Sequence, residues 1–257
     1  MREIEGKTFR YLRACADLLM PRTCTVCGRK LLSDERQLCI YCRTELPLTR
    51  FWKRGHNPMA DKFNFLLQKE LEQADRLERY AYACALFFYN NDTGFRNITH
   101  NIKYQGNKKA GTYYGRLLGK HLAESGHLSD IDLVIPVPLH WKREWKRGYN
   151  QAESIARGIS METGAELDCN ILHRTRYTRT QTRLEVSEKL KNVKDAFTIK
   201  KNGTPERLIE EGIGHILLVD DVFTTGSTLL ACFQALRTVF PPSVRISVAT
   251  LGFVGRA

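Results

Sequence analysis

Ile216-Leu217-Leu218-Val219-Asp220-Asp221-Val222-Phe223-Thr224-Thr225-Gly226-Ser227-Thr228 reads as an apolar segment, two adjacent carboxylates and a hydroxyl-rich turn. An apolar run of strand length, residues 215–220, ahead of a turn and then a helical pattern at 227–239 predicts a buried strand feeding a helix. The turn can aim successive backbone N–H groups and several hydroxyls at a phosphate. Gly226 permits close approach, and the helix N-terminus adds partial positive charge. The two acids upstream can accept hydrogen bonds from the vicinal hydroxyls of a ribose and hold water bound to Mg2+. The plainer alternative is a helix cap beside a chance acidic pair, but a cap needs one Asp or Thr rather than this density of polar residues.

Outward from this stretch, strand-like runs alternate with helical ones. Residues 83–89 form a short apolar strand closed by Asn90 and Asn91, and 133–138 form a second strand, ending in prolines. Residues 244–251 supply a last strand. Helical patterns cover 94–104, 109–124 and 150–162. Another, at 61–79, carries Phe63, Leu66, Leu67, Leu71, Ala74 and Leu77 at a spacing near 3.6, with Asp61 as its expected cap. Such alternation predicts an α/β fold, a mostly parallel sheet with helices on both faces.

Composition agrees. The chain has 257 residues with 42% apolar and 26% charged side chains, and its mean hydropathy is −0.37. That profile excludes disordered and collagen-like chains. No apolar run approaches the ~18 residues of a membrane span, and charges interrupt the first 23 residues too often for a secretory signal, so a cytoplasmic location is expected. The net charge of +12 biases partners toward phosphates or nucleic acid. Residues 139–149 and 171–183 supply +3 and +4 of it.

Cys24-x2-Cys27 and Cys39-x2-Cys42 are two knuckles separated by 11 residues. Each pair lets a tight turn aim two thiolates at one ion, and four cysteines complete the closed S4 shell of a structural Zn2+. A disulfide pairing would need an oxidising compartment, of which the chain carries no sign. Arg22, Arg29, Lys30, Arg36 and Arg43 surround the knuckles and keep a docking role open. Cys15, Cys84, Cys169 and Cys232 read as packing residues. A Gly, Asn and Pro cluster at 54–58 marks the way out of this module, dividing residues 1–56 from 57–257.

The stretch around Asp220 resembles the phosphoribosyl diphosphate (PRPP) loop of type I phosphoribosyltransferases. Further segments resemble the ComF (competence protein F) family. These are Lys103-Tyr104-Gln105-Gly106, Pro136-Val137-Pro138-Leu139-His140, Arg143, and Arg147-Gly148-Tyr149-Asn150-Gln151-Ala152-Glu153. Downstream, Thr178-x2-Gln181-x2-Leu184, Asn192-Val193 and Ala196-Phe197 continue the resemblance, and with the four-cysteine ribbon it spans about residues 21–253. Lys189 departs from the usual arginine, keeping the charge but not the bidentate geometry.

The resemblance implies a type I phosphoribosyltransferase fold that binds PRPP with Mg2+. Asp220 and Asp221 would take the ribose hydroxyls, and Thr224, Thr225, Gly226, Ser227 and Thr228 would cradle the 5′-phosphate. Pro136, Val137 and Pro138, with Arg143 and Arg147, would hold the diphosphate. Residues 174–181, including Thr178, Arg179 and Gln181, would close over it as a lid, although an arginine-rich hairpin in solvent has the same sequence. Trp141 and Trp145 read as core or rim residues beneath the basic segment, and His140 as a site neighbour. Two functions follow from the resemblance. One is transfer of a phosphoribosyl group to an amine or base nitrogen. The other is a non-catalytic role in DNA uptake during natural transformation, with single-stranded DNA or the uptake helicase as partner.

Overall fold

The computed structural model describes residues 21–71, 78–175, 196–200 and 204–255. Its centre is a five-stranded sheet, parallel throughout. The strands are β1 (Ala83–Phe88), β2 (Leu133–Pro136), β3 (Glu166–Leu167), β6 (His215–Phe223) and β7 (Arg245–Phe253), in the order β1-β7-β6-β2-β3. A separate antiparallel pair, β4 (Leu172–Arg174) and β5 (Phe197–Ile199), lies beside it. The described helices are α1 (Ile40–Thr44), α2 (Pro58–Leu71), α3 (Arg96–Tyr104), α4 (Lys108–Ala123), α5 (Trp141–Arg147), α6 (Gln151–Thr163), α7 (Thr204–Glu210) and α8 (Ser227–Arg237).

Alternate residues of each strand enter opposite layers, as the period of two requires. Ala83, Ala85, Leu133, Ile135, Ile216, Leu218 and Val248 join Met59, Phe63, Leu230 and Phe233 on the α2/α8 face. Cys84, Leu86, Val134, Leu217, Val219 and Ala249 join Ile102, Tyr114, Leu118, Ile155 and Ile159 on the α3/α4/α6 face. Both faces are covered, as the alternating pattern predicts. On the second face α4 and α6 touch backbone to backbone. A Cβ added at Gly115 would collide with the carbonyl of Ile155, and one at Gly158 with that of Thr112.

Several boundaries differ from the sequence reading. The α2 helix starts at Pro58 rather than Asp61, because Asn57 is the cap: its Oδ1 accepts from Met59 N at 3.1 Å and Ala60 N at 3.0 Å. Asp61 instead accepts from the Tyr80 hydroxyl at 2.8 Å. The expected continuation of this helix to 79 runs into residues 72–77, outside the described set. Asn57 Nδ2 also donates to Ala83 O, so the segment leaving the cysteine module is anchored to β1. Strand β2 stops at Pro136, two residues short of the expected end. Strand β6 runs on through Asp220 and Asp221 to Phe223, because β7 stays in register beside it, pairing Asp220 with Thr250 and Phe223 with Phe253.

The cysteine ribbon is packed on the α3/α4 face. Its Cys24, Val26, Leu31, Leu38, Cys39 and Cys42 share a core with Tyr114 and Ile98. Polar ties fix the contact: Thr25 Oγ1 lies 2.6 Å from the Tyr114 hydroxyl, Asn97 Nδ2 donates to Val26 O, and Asn101 Nδ2 donates to Thr25 O.

Candidate functional site

The loop after β6 begins the site. Gly226 has φ +84°, the left-handed conformation that favours glycine, and an added Cβ would meet Phe223 Cζ at 2.8 Å and Leu66 Cδ1 at 2.9 Å. Its carbonyl accepts from Leu230 N, so α8 starts here and its first N–H groups open onto the loop. Thr225 Oγ1 and Ser227 Oγ are 2.9 Å apart. Asp220, Val222, Phe223, Thr224, Thr225, Gly226, Ser227, Thr228 and Leu229 line one pocket. Lys62, which nothing in the sequence singled out, reaches this loop from α2 and donates through Nζ to Thr224 O at 2.7 Å.

The two acids part company. Consecutive strand residues face opposite sides, and here the consequence is chemical. Asp221 is buried on the α3 side, where Lys103 Nζ lies 2.8 Å from its Oδ2. Burial opposes the Lys103 charge, but Asp221 and the field of Asp220 more than offset it and raise the Lys103 pKa. Asp220 stays on the pocket side. Burial, together with the neighbouring Asp221 charge, pushes its pKa up to about 7, opposed by Lys103 and Arg174. A carboxyl so placed is poised between acceptor and donor near neutrality.

Cations gather at the mouth of β2. Pro136 and Pro138 have no N–H, Val137 N donates to Val219 O at 2.8 Å, and Asn150 Nδ2 donates to Val137 O at 3.0 Å. His140 is buried just beyond. Burial, with Arg174, Lys142 and Arg143 around it, lowers its pKa and favours the neutral ring. Arg174 on β4 feels both Arg143 and Asp220, so it links this mouth to the pocket acid. Arg147 turns aside, donating to Gln151 Oε1 at 2.9 Å and lying 5.3 Å over the Tyr104 ring. Thr178, Arg179 and Gln181, expected in a lid, fall outside the described residues. The ends of that segment are tied, with Thr175 N donating to Ala196 O at 2.9 Å.

Trp141 and Trp145 are not packed beneath the basic segment. They are 65% and 87% exposed on α5. No residue of α5 is buried. Of the other cysteines expected in packing roles, Cys84 and Cys232 are fully buried, Cys169 is half-buried and Cys15 lies outside the described residues.

In the ribbon, the four sulfurs of Cys24, Cys27, Cys39 and Cys42 all lie within 4.8 Å of one another. Cys27 and Cys39 Sγ are 3.7 Å apart, against ~3.8 Å between sulfurs of a tetrahedron with 2.3 Å Zn–S bonds. The donors fit zinc as a closed structural site. The Asp220 and Asp221 carboxylates do not fit a direct Mg2+ cage, since they face opposite sides of β6 and a lysine already holds Asp221.

Among the described residues no helix is long and apolar enough to cross a membrane. A scan against protein-family models finds no match. Competence protein F of Haemophilus influenzae is 36% identical over 117 residues, 45% of this chain and 48% of that protein. DNA utilization protein YhgH of Escherichia coli O157:H7 is 32% identical over 216 residues, 83% of each chain. The matching protein from Salmonella typhi is 29% identical over 142 residues. With identity and coverage of that extent across an α/β fold that carries a four-cysteine ribbon, the chain belongs to the ComF family of competence and DNA utilization proteins.

Proposed function

We propose that this chain is a cytoplasmic protein of DNA uptake whose α/β part, residues 57–257, binds PRPP, while residues 1–56 form a zinc-stapled ribbon. The observation that supports the reading best is the pocket of residues 220–229, with its half-buried acid, its left-handed glycine, its hydroxyl pair and a helix N-terminus at one end. The 5′-phosphate would sit against the Thr225–Thr228 amides and hydroxyls, near the Lys62 ammonium. Asp220 would accept from a ribose hydroxyl. Arg143 and Arg174 would supply positive charge to the departing diphosphate, with His140 beside them as a neutral hydrogen-bonding neighbour. Mg2+ would arrive on the diphosphate oxygens, its usual mode, rather than in a protein cage. Transfer would break the bond between the anomeric carbon and the diphosphate oxygen and form one to an acceptor nitrogen.

Calorimetry with PRPP and Mg2+ on zinc-loaded protein tests binding. Wild-type protein should bind, and Asp220→Asn and Gly226→Ala should lose most of the affinity. Absence of heat with the folded wild-type chain refutes the reading. Diphosphate release in the presence of a panel of bases and amines then separates a transferase from a protein that only senses PRPP.

A further inference from the structure

We propose that α5 is a stacking platform for single-stranded nucleic acid, an inference that rests on the DNA half of the reading above and not on PRPP. Tryptophan is among the most buried residue types on average, yet Trp145 is 87% and Trp141 65% exposed. Four residues apart, they lie on one face of the helix, within about 6 Å of rise. Tyr104, at the end of α3, is also 65% exposed, and Arg147 of α5 lies 5.3 Å over its ring.

The surroundings decide what these rings accept. Lys142, Arg143, Lys146 and Arg147 occupy the same seven residues against the single acid Glu144, and Lys142 Nζ sits 5.3 Å over the Trp141 ring. A protein-binding hot spot would set a tryptophan in a desolvated pocket ringed by further contacts. Here the rings stand in solvent among cations, which suits a polymer carrying a negative charge and a flat apolar face at every unit. A duplex hides its base faces in its own stack, so the occupant is single-stranded. Neither tryptophan belongs to the pocket of residues 220–229.

The test uses the full zinc-loaded chain and a labelled oligodeoxythymidylate of about 20 nucleotides. Binding should quench the fluorescence of Trp141 and Trp145 while buried Trp52 persists, and it should weaken with salt. The double variant Trp141→Ala/Trp145→Ala should lose about thirty-fold or more in affinity at an unchanged salt slope. The Trp141→Phe/Trp145→Phe pair should recover most of it, and both pairs should keep wild-type circular dichroism and zinc content. Wild-type affinity in the alanine pair overturns the proposal, as does a preference for duplex. Quenching of the same rings by polyglutamate but not by the oligonucleotide also overturns it and assigns the face to an acidic protein. PRPP calorimetry on the same variants reads the other proposal independently, because its failure leaves the oligonucleotide result standing.

Discussion

Lys103 Nζ lies 2.8 Å from Asp221 Oδ2, on the sheet face away from the pocket that Asp220 lines. The pair joins α3 to the site strand with both side chains largely enclosed. Removing one member of a buried pair leaves an uncompensated charge, which is far more destabilising than the pair is stabilising. Lys103→Met should therefore cost about 3 kcal/mol, measured as a lowered urea midpoint. Lys103→Met/Asp221→Asn, which leaves no stranded charge, should recover most of the loss. Equal midpoints for the single and double variants would show that the ion pair is not what α3 and β6 share.

If the pocket binds PRPP as proposed, the remaining acid should set a pH dependence for that binding. Asp220 in the free protein has its pKa raised to about 7, by burial first and by the Asp221 charge second. If only the carboxylate accepts from the ribose hydroxyl, the competent fraction rises from about one in ten molecules at pH 6 to about nine in ten at pH 8. PRPP affinity should thus increase about ten-fold over that interval. Asp220→Asn removes the titrating group and supplies the background from the ligand's own phosphates. The wild-type curve should be steeper than that background, and parallel curves would exclude Asp220 as the recognising group.

These two residues also mark the limit of what the sequence discloses. The run from Ile216 to Val219 predicts a buried strand because nothing polar interrupts it. Where the run ends in sequence is not where the ladder ends, since Thr250, Gly252 and Phe253 of β7 keep pairing with Asp220, Val222 and Phe223. Ending the strand at Asp220 and reading the two acids as one pair therefore hides their divergence to opposite faces. Lys62 carries no local signal at all, and Lys103 stands out only within the family-like Lys103–Gly106 segment, which does not disclose its partner Asp221. Each enters the site through the packing of its helix on the sheet, a relation between segments far apart in the chain. Hydrophobicity marks Trp141 and Trp145 as candidates for burial, but in a short helix crowded with lysine and arginine, charge decides which way the helix faces. The cysteine knuckles are legible because metal geometry constrains spacing within a few residues.

Zinc should matter to the whole chain rather than to the ribbon alone. Cys24, Cys39 and Cys42 are buried in the core that Tyr114 and Ile98 share, and Thr25 and Val26 accept hydrogen bonds from Asn101 and Asn97 of α3. Binding free energy at such a site is folding free energy. One Zn2+ per chain is expected by elemental analysis. Stripping it with a chelator, or Cys39→Ser, should lower the thermal midpoint of the whole α/β domain by about 10 °C or more. A lost metal with an unmoved midpoint would mean that the ribbon contact contributes little.

At the opposite end of the sheet, the first residue of β6 makes the fold acid-sensitive. His215 is buried with Nδ1 2.8 Å from Asp130 Oδ1 and Nε2 2.8 Å from Ser247 Oγ. In the neutral ring Asp130 accepts from Nδ1–H, which leaves Nε2 to receive the Ser247 hydroxyl hydrogen. Ser247 is fully buried, so the triad-like order of Ser, His and Asp serves packing rather than attack on a substrate. Burial lowers the His215 pKa against the opposing pull of Asp130. A histidine depressed in the folded state binds fewer protons there than in the unfolded chain, so its contribution is complete above the unfolded value near 6.5, declines below it and is gone once pH has fallen through the lower folded value. Asp130 acts in the same direction at lower pH. Burial works against its charge, but its bond to His215 and the nearby Arg245 hold its pKa below 3.8, so its contribution disappears as pH falls below that value. The urea midpoint should therefore decline between pH 7 and pH 5. His215→Asn can still donate to Asp130 but cannot take up a proton, so it should lower the midpoint at pH 7 and flatten the decline. An equal slope in both proteins would place the acid sensitivity elsewhere.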